Sequence, residues 1–130
     1  MKPTIFLIED STDIMEVYKM ALEAAGITVV GLASGKEAME KIKKVRAGME
    51  ERPGLVLLDL VLPDINGLEI LRELREHKTT KDIAVFILSN YTSDALLNIK
   101  YIKPDKFLLK SDVSPTQLTD LVLAQLNMKK

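Results

Sequence analysis

Short runs of consecutive apolar residues recur along the chain and predict strands that are buried on both faces. Residues 55–58 and 83–88 contain no polar side chain, and residues 4–8 contain only one. A central strand of a parallel sheet is apolar at every position, whereas apolar and polar residues alternate in a strand with one solvent-exposed face. These three runs, the β-branched residues 27–32 and the short run 107–109 are therefore predicted to be five strands.

Between the strands, apolar residues recur at three- and four-residue spacing, which predicts amphipathic helices. Helix starts are marked by Ser11, by a capping box of Ser34 and Glu37, and by Ser114. Gly26 is suited to end the first helix in a left-handed conformation. A third helix is predicted after Gly67, and a less regular helix within residues 93–101.

The alternation of strand and helix five times over predicts an α/β fold. We expect a doubly wound (βα)5 three-layer sandwich, with a parallel sheet and right-handed crossovers. The 130 residues suffice for one domain spanning residues 1–130, and no linker or repeat divides them.

Composition excludes several classes of protein. The net charge of -1 supplies no basic field, which argues against direct nucleic-acid or membrane binding. The apolar run near the amino terminus is too short for a signal peptide or a membrane span. The chain has no cysteine, which fits a reducing compartment, and we expect a cytoplasmic location.

Residues that can perform chemistry follow the predicted strands at their carboxyl ends. Glu9 and Asp10 follow the first strand, Asp59 the third, Ser89 the fourth and Lys110 the fifth. Because these ends share one edge of a parallel sheet, we expect the five side chains to lie close together.

Three carboxylates at one place predict a bound cation or a retained proton. At a separation of ~4 Å and an effective dielectric constant near 20, each pair repels by ~4 kcal/mol. A site with only oxygen ligands suits Mg²⁺. Lys110 and Ser89 could then stabilise a phosphoryl group on Asp59, an aspartyl phosphate.

These residues resemble the receiver domain of two-component response regulators, and the chain is similar to single-domain chemotaxis-type regulators. The resemblance covers the chain from about Thr4 to Leu126 and implies a flavodoxin-like sheet of order 2-1-3-4-5. It is carried by Glu9-Asp10, the pattern Asp59-x-x-x-Pro63-x-x-x-Gly67, Ser89 and Lys110.

The resemblance implies a role for each site residue. Asp59 would accept a phosphoryl group from the phosphohistidine of a histidine kinase or a phosphotransfer protein. Asp10 and Asp59 would hold Mg²⁺ directly, together with the carbonyl of Val61, and Glu9 would act through water. The chemistry would be limited to Mg²⁺-dependent self-phosphorylation from a phosphodonor and slow autodephosphorylation.

A switch is implied as well. Ser89 and Lys110 would bind the phosphoryl oxygens, and the aromatic ring of Phe107 would turn inward when Ser89 moves. This change would reshape the face formed by the fourth helix, the fifth strand and the fifth helix, where an unknown output partner or a second copy of the chain would bind.

The sequence departs from the family at two places. Ser111 follows Lys110 where the family often has proline, so we expect a trans peptide and an altered loop. Residues 103–105 replace the Gly-Ala that often precedes the fifth strand.

Other interpretations remain open at this point. A pseudo-receiver could bind partners constitutively without phosphate, and the chain could be stand-alone or part of a longer regulator. Cofactor binding of the flavodoxin type is disfavoured because Glu9 and Asp10 would repel a phosphate.

The charged residues of the second and third helices, and the single histidine, His77, are expected to be solvated. The residues concerned are Lys41, Lys43, Lys44 and Arg46 on the second helix and Arg72, Glu73, Arg75 and Glu76 on the third.

Overall fold

The computed structural model describes residues 2–90 and 102–127, and the helix predicted within residues 93–101 lies outside them. Over residues 2–90 strands and helices alternate as the apolar pattern predicts, and residues 102–127 add a further strand and helix. A 3-10 turn, Lys110–Asp112, follows the fifth strand. The elements are β1 Thr4–Ile8, α1 Thr12–Ala24, β2 Thr28–Leu32, α2 Gly35–Arg46, β3 Leu55–Asp59, α3 Gly67–Glu76, β4 Ala84–Ser89, β5 Lys106–Leu109 and α4 Pro115–Gln125.

The five strands form one parallel sheet of order β2-β1-β3-β4-β5. The expected doubly wound α/β fold is therefore confirmed, including its strand order. β1 and β3 lie side by side, with Ile8 opposite Leu58, and β3 continues to pair with β4 up to Asp59. The residues that follow β1 and β3 are consequently neighbours at the carboxyl edge of the sheet.

Both faces of the sheet are covered by helices, which explains why the central strands are apolar at every position. On one face Leu57 and its neighbours pack with α1 and α4, and on the other face Leu58 packs with α2 and α3. Successive side chains of a strand point to opposite faces, so each face receives half of the run. Each fully buried leucine or isoleucine stabilises the fold by about 2 kcal/mol.

The helix starts are formed by the predicted caps, with one difference. The hydroxyls of Ser11, Ser34 and Ser114 each accept a hydrogen bond from a backbone N–H of the first turn. The capping box of the last helix is complete. In α2, however, the carboxylate of Glu37 accepts from the N–H of Ala33, one residue before the serine, at 2.8 Å.

Arg75 of α3 is not solvated, contrary to the expectation from alternating charges. Its side chain is 15% exposed and is surrounded by hydrogen-bond acceptors. Its guanidinium donates to the carbonyls of Lys103, Lys81 and Ile83 at 3.0, 3.0 and 2.6 Å, and to Asp105 Oδ1 at 2.8 Å. The same Asp105 oxygen accepts from the N–H of Val85. Arg75 therefore joins α3 to the segments that lead into β4 and β5.

Arg46 at the end of α2 is also largely buried, although it was expected to be solvated. Its Nη2 lies 2.9 Å from Glu73 Oε2, and its Nη1 lies 2.7 Å from His77 Nε2. His77 follows α3 and is half exposed. The sequence places these residues on separate helices, and only the packing of α2 against α3 brings them together.

We expect Arg75→Met to lower the free energy of unfolding by about 2 to 4 kcal/mol, because three backbone carbonyls and the carboxylate of Asp105 lose a charged donor. Urea unfolding at pH 7 measures this change. Arg72→Met is the matched control, since Arg72 lies on the same helix with a side chain that is 65% exposed. That control should change stability by no more than about 0.5 kcal/mol. Equal effects of the two substitutions would contradict the role assigned to Arg75.

Candidate functional site

The site is built where β1, β3 and β5 end. Glu9 follows β1, and both its backbone and its side chain are hydrogen-bonded. Its N–H donates to the carbonyl of Leu32 at 3.0 Å, and its Oε1 accepts from the N–H of Ser11 at 3.2 Å. Glu9 is 3% exposed, whereas the next residue, Asp10, is exposed. The acidic pair thus offers one buried and one open carboxylate.

Asp59 is the last residue of β3 and is 6% exposed. Its Oδ1 accepts a hydrogen bond from the N–H of Val61 at 3.1 Å. The chain then turns back sharply into α3, and a Cβ at Gly67 would lie 2.6 Å from the carbonyl oxygen of Asp59. Only glycine permits this close approach, which explains the glycine of the Asp59 to Gly67 pattern.

Lys110 lies between the two buried carboxylates. Its Nζ is 2.9 Å from Glu9 Oε2 and 3.1 Å from Asp59 Oδ2. Since β4 and β3 separate β5 from β1, the long lysine side chain crosses the carboxyl edge of the sheet to make these contacts. One ammonium therefore neutralises part of the charge of two carboxylates.

The electrostatics of the site follow from this arrangement. Burial raises the pKa of Glu9, the hydrogen bond from Lys110 opposes this change, and the neighbouring Asp59 adds to it. Burial by itself lowers the pKa of Lys110, but the hydrogen bonds and charges of Glu9 and Asp59 outweigh burial and raise it. Burial therefore disfavours the negative charge of Glu9, and a further cation close to this carboxylate would stabilise that charge.

The three carboxylates fit a divalent cation. One oxygen from each of Glu9, Asp10 and Asp59 lies within 4.8 Å of the others. Carboxylate oxygens are the ligands that hard divalent cations prefer. They face a cleft of about 260 Å³, lined by Glu9, Asp10, Ser11, Ile14, Asp59, Val61, Asn90 and Lys110.

Of the other predicted site residues, Val61 lines this cleft, whereas Ser89 and Phe107 are not among the residues that line it. Ser89 ends β4 and is buried, and the following Asn90 lines the cleft. Phe107 in β5 is half buried and packs against the core beneath α2 and α3. The side chain of Val61 is 60% exposed at the edge of the cleft.

The peptide bond between Lys110 and Ser111 is trans, as expected for a non-proline residue. Among the described residues there is no cis peptide bond, and residues 110–112 form the 3-10 turn that leads to α4. The presence of Ser111 at this position is therefore accommodated by a local turn.

Asp64 was not recognised from the sequence. Its two carboxylate oxygens each accept a hydrogen bond from the start of α2, from the N–H groups of Gly35 and Lys36, both at 2.9 Å. These hydrogen bonds lower the pKa of the Asp64 carboxyl. Because the partners are 28 and 29 residues away, no local spacing reveals the contact.

A parallel sheet of this order, with an acidic cluster and a lysine at its carboxyl edge, defines a class of phosphate-signalling domains. The family described as "Response regulator receiver domain" matches residues 5–123. The chain therefore belongs to the response regulator receiver domain family, which is that of two-component systems. Within the described residues, no helix is long and apolar enough to cross a membrane.

Individual relatives agree with this assignment. The chain is 38% identical over 117 residues to the nitrate/nitrite response regulator NarL of Escherichia coli K12, with 88% of this chain and 50% of NarL covered. The chain thus spans about half the length of that relative.

Solved structures of receivers are similar throughout. The phosphorylated cyanobacterial phytochrome response regulator RcpA superposes with a TM-score of 0.79 at 30% identity, covering 95% of this chain and 91% of RcpA. The Mn²⁺-bound form of response regulator Rcp1 superposes with a TM-score of 0.77 at 26% identity, covering 94% and 90%.

We expect Lys110→Met to lower the free energy of unfolding by about 3 kcal/mol at pH 7 without divalent cations, because two buried carboxylates lose their counter-ion. The loss should shrink as the pH falls toward 4.5, the ordinary pKa of a glutamate. A carboxyl whose pKa is raised binds protons more tightly in the folded state, so its ionisation destabilises the fold increasingly above that pH.

Urea unfolding between pH 4.5 and 8 in the presence of a chelator tests this expectation. Lys106→Met is the matched control, because Lys106 is an exposed lysine of β5, the strand that Lys110 follows. A loss for Lys110→Met that does not change with pH would contradict the electrostatic explanation.

Proposed function

We propose that the domain is switched by transfer of a phosphoryl group from a phosphohistidine to Asp59. The donor would be a histidine kinase or a phosphotransfer protein. The observation that carries the proposal is the position of Asp59, whose carboxylate lines an open cleft while Lys110 and the acidic pair surround it. A pseudo-receiver is less well supported, because Asp59, Lys110 and the acidic pair lie close together.

The transfer needs little beyond positioning and charge neutralisation. A carboxylate oxygen of Asp59 would attack the phosphorus, so that an O–P bond forms while the N–P bond of phosphohistidine breaks. The histidine nitrogen keeps the electron pair of that bond. Lys110, which is 3.1 Å from Asp59 Oδ2, would stabilise the charge on the phosphoryl oxygens, and the hydroxyl of Ser89 would donate a hydrogen bond to them.

We further propose Mg²⁺ as the cation. Asp10, Asp59 and the carbonyl of Val61 would hold it directly, and the buried Glu9 would act through water. Mg²⁺ usually binds one or two carboxylates and retains several waters, which suits one exposed and two buried carboxylates at the edge of a cleft. When bound, the cation would neutralise charge on the phosphoryl oxygens.

The output would depend on Ser89 and Phe107. Ser89 and Leu109 are neighbours across β4 and β5, and Phe107 lies two residues before Leu109 on the edge strand. Movement of Ser89 toward a phosphoryl group would free space for the aromatic ring and change the face that includes β5 and α4. An output partner or a second copy of the chain would recognise that face in the phosphorylated state.

Incubation with acetyl phosphate and Mg²⁺, followed by intact mass spectrometry, tests phosphorylation. We expect the wild-type chain to gain one phosphoryl group and Asp59→Asn to gain none, because the amide is not a nucleophile of this kind. Asp82→Asn is the control, since Asp82 is an exposed carboxylate before β4, at the opposite edge of the sheet. No gain by the wild type under any condition would favour a constitutive interaction module.

Metal binding is tested separately with Mn²⁺ as a paramagnetic probe that Mg²⁺ displaces. We expect Asp10→Asn to weaken Mn²⁺ binding at least about tenfold, because a charged ligand is lost. Asp13→Asn, which removes an exposed carboxylate three residues away on α1, should change the affinity less than about twofold. Similar affinities for wild type and Asp10→Asn would exclude Asp10 as a ligand.

A further inference from the structure

The loop between β3 and α3 carries the carbonyl of Val61, so its position matters for the proposed cation site. The loop is closed at its base, because Val61 pairs with Asn66 in an isolated antiparallel bridge and the N–H of Gly67 donates to the carbonyl of Leu60 at 3.0 Å. The side chain of Val61 is largely exposed. Leu60 and Leu62 pack against the core, and hydrogen bonds hold the remaining part of the loop.

Asp64, near the tip of the loop, joins it to the start of α2. The first N–H groups of a helix have no partner within the helix, and both carboxylate oxygens of Asp64 accept from two of them at 2.9 Å. A negative charge at a helix amino terminus is also stabilised by the helix dipole. The lowered pKa of Asp64 agrees with these contacts.

Gly35 allows the loop and the helix to approach this closely. A Cβ on Gly35 would lie 2.7 Å from the Cβ of Ile65 and 3.1 Å from Asp64 Oδ1. Any other residue would push the loop away from α2. The contact is therefore a tightly fitted junction and not a chance encounter of two surface segments.

The junction closes a ring of contacts around the acidic cluster. On one side, the backbone of Glu9 is hydrogen-bonded to Leu32, which lies three residues before Gly35. On the other side, Val61 belongs to the same loop as Asp64, and Asp59 is the strand residue that directly precedes this loop. The hydrogen bonds of Asp64 thus connect the part of the site that follows β1 with the part that follows β3.

We infer that Asp64 is a positioning residue, which holds the Val61 carbonyl and Asp59 in register with Glu9 and Asp10 for cation binding. This inference rests on the proposed function. A helix cap alone would not require it, because α2 already has its own N-cap: Ser34 Oγ accepts from the N–H of Glu37 at 3.2 Å.

This second cap provides a matched control. Asp64→Ala and Ser34→Ala both remove hydrogen bonds from the start of α2, but only Asp64→Ala releases the loop. We expect Asp64→Ala to raise the dissociation constant for Mn²⁺ by about tenfold or more, the usual effect of losing a group that orients metal ligands. Ser34→Ala should change it less than about twofold, although both variants lose some thermal stability.

Asp64→Asn further distinguishes the helix-capping role of the carboxylate from its proposed role in positioning the loop. The amide keeps one oxygen acceptor, so we expect a smaller loss of Mn²⁺ affinity than in Asp64→Ala. It also serves as the test variant should the alanine variant not fold. Amide hydrogen exchange of Gly35 should increase in both Asp64 variants and thereby report that the junction has opened.

The outcomes distinguish this inference from the proposed function. Tight Mn²⁺ binding by the wild type, with equal affinity in Asp64→Ala, would overturn the positioning role alone. If Mn²⁺ affinity fell in proportion to thermal stability in both the Ser34 and the Asp64 variants, Asp64 would act only as a helix cap. That result would also overturn the positioning role. Absence of Mn²⁺ binding by the wild type, and of its phosphorylation, would overturn both proposals.

Discussion

The buried contact of Lys110 with Glu9 and Asp59 is the constraint on which the rest of the structure depends. Two carboxylates at ~4 Å repel by ~4 kcal/mol at an effective dielectric constant near 20, and burial discourages both charges. One lysine from the far edge of the sheet compensates them. This compensation requires β1, β3 and β5 to end at the same level, so the electrostatics of the site and the register of the sheet support each other.

Charged side chains are arranged differently at the two edges of the sheet. At the carboxyl edge, charges are brought together in excess and left open to a cleft, which is the condition for binding a cation and a phosphoryl group. At the amino edge, Arg75 and Asp105 satisfy buried backbone groups between α3, β4 and β5. Ionic groups at that edge join segments of the fold, whereas those at the carboxyl edge comprise three carboxylates beside one lysine.

The two loops that follow Lys110 and Asp59 are held by different contacts. The chain forms a short 3-10 turn after Lys110, and the following helix, α4, begins with a complete capping box. The loop after Asp59 is held by glycine contacts at Gly35 and Gly67 and by the carboxylate of Asp64. Rigid loops on a parallel sheet let a domain of this size present a defined site without burying the loops themselves.

The sequence by itself determined the fold and the meeting of Glu9, Asp10, Asp59 and Lys110 at one edge of the sheet. Apolar runs such as residues 55–58, serine caps and the polar residues that end each strand are local signals, and a parallel sheet has only one edge at which Asp59 and Lys110 can meet. Only the tertiary structure decided which charges are buried. Alternating charges on α3 did not indicate that Arg75 would contact the segments that lead into β4 and β5. Likewise, Asp64 accepts a hydrogen bond from a residue of α2 that is 28 positions away in the sequence. Local periodicity reports which face of a helix is apolar, but pairing between distant polar groups depends on how elements pack.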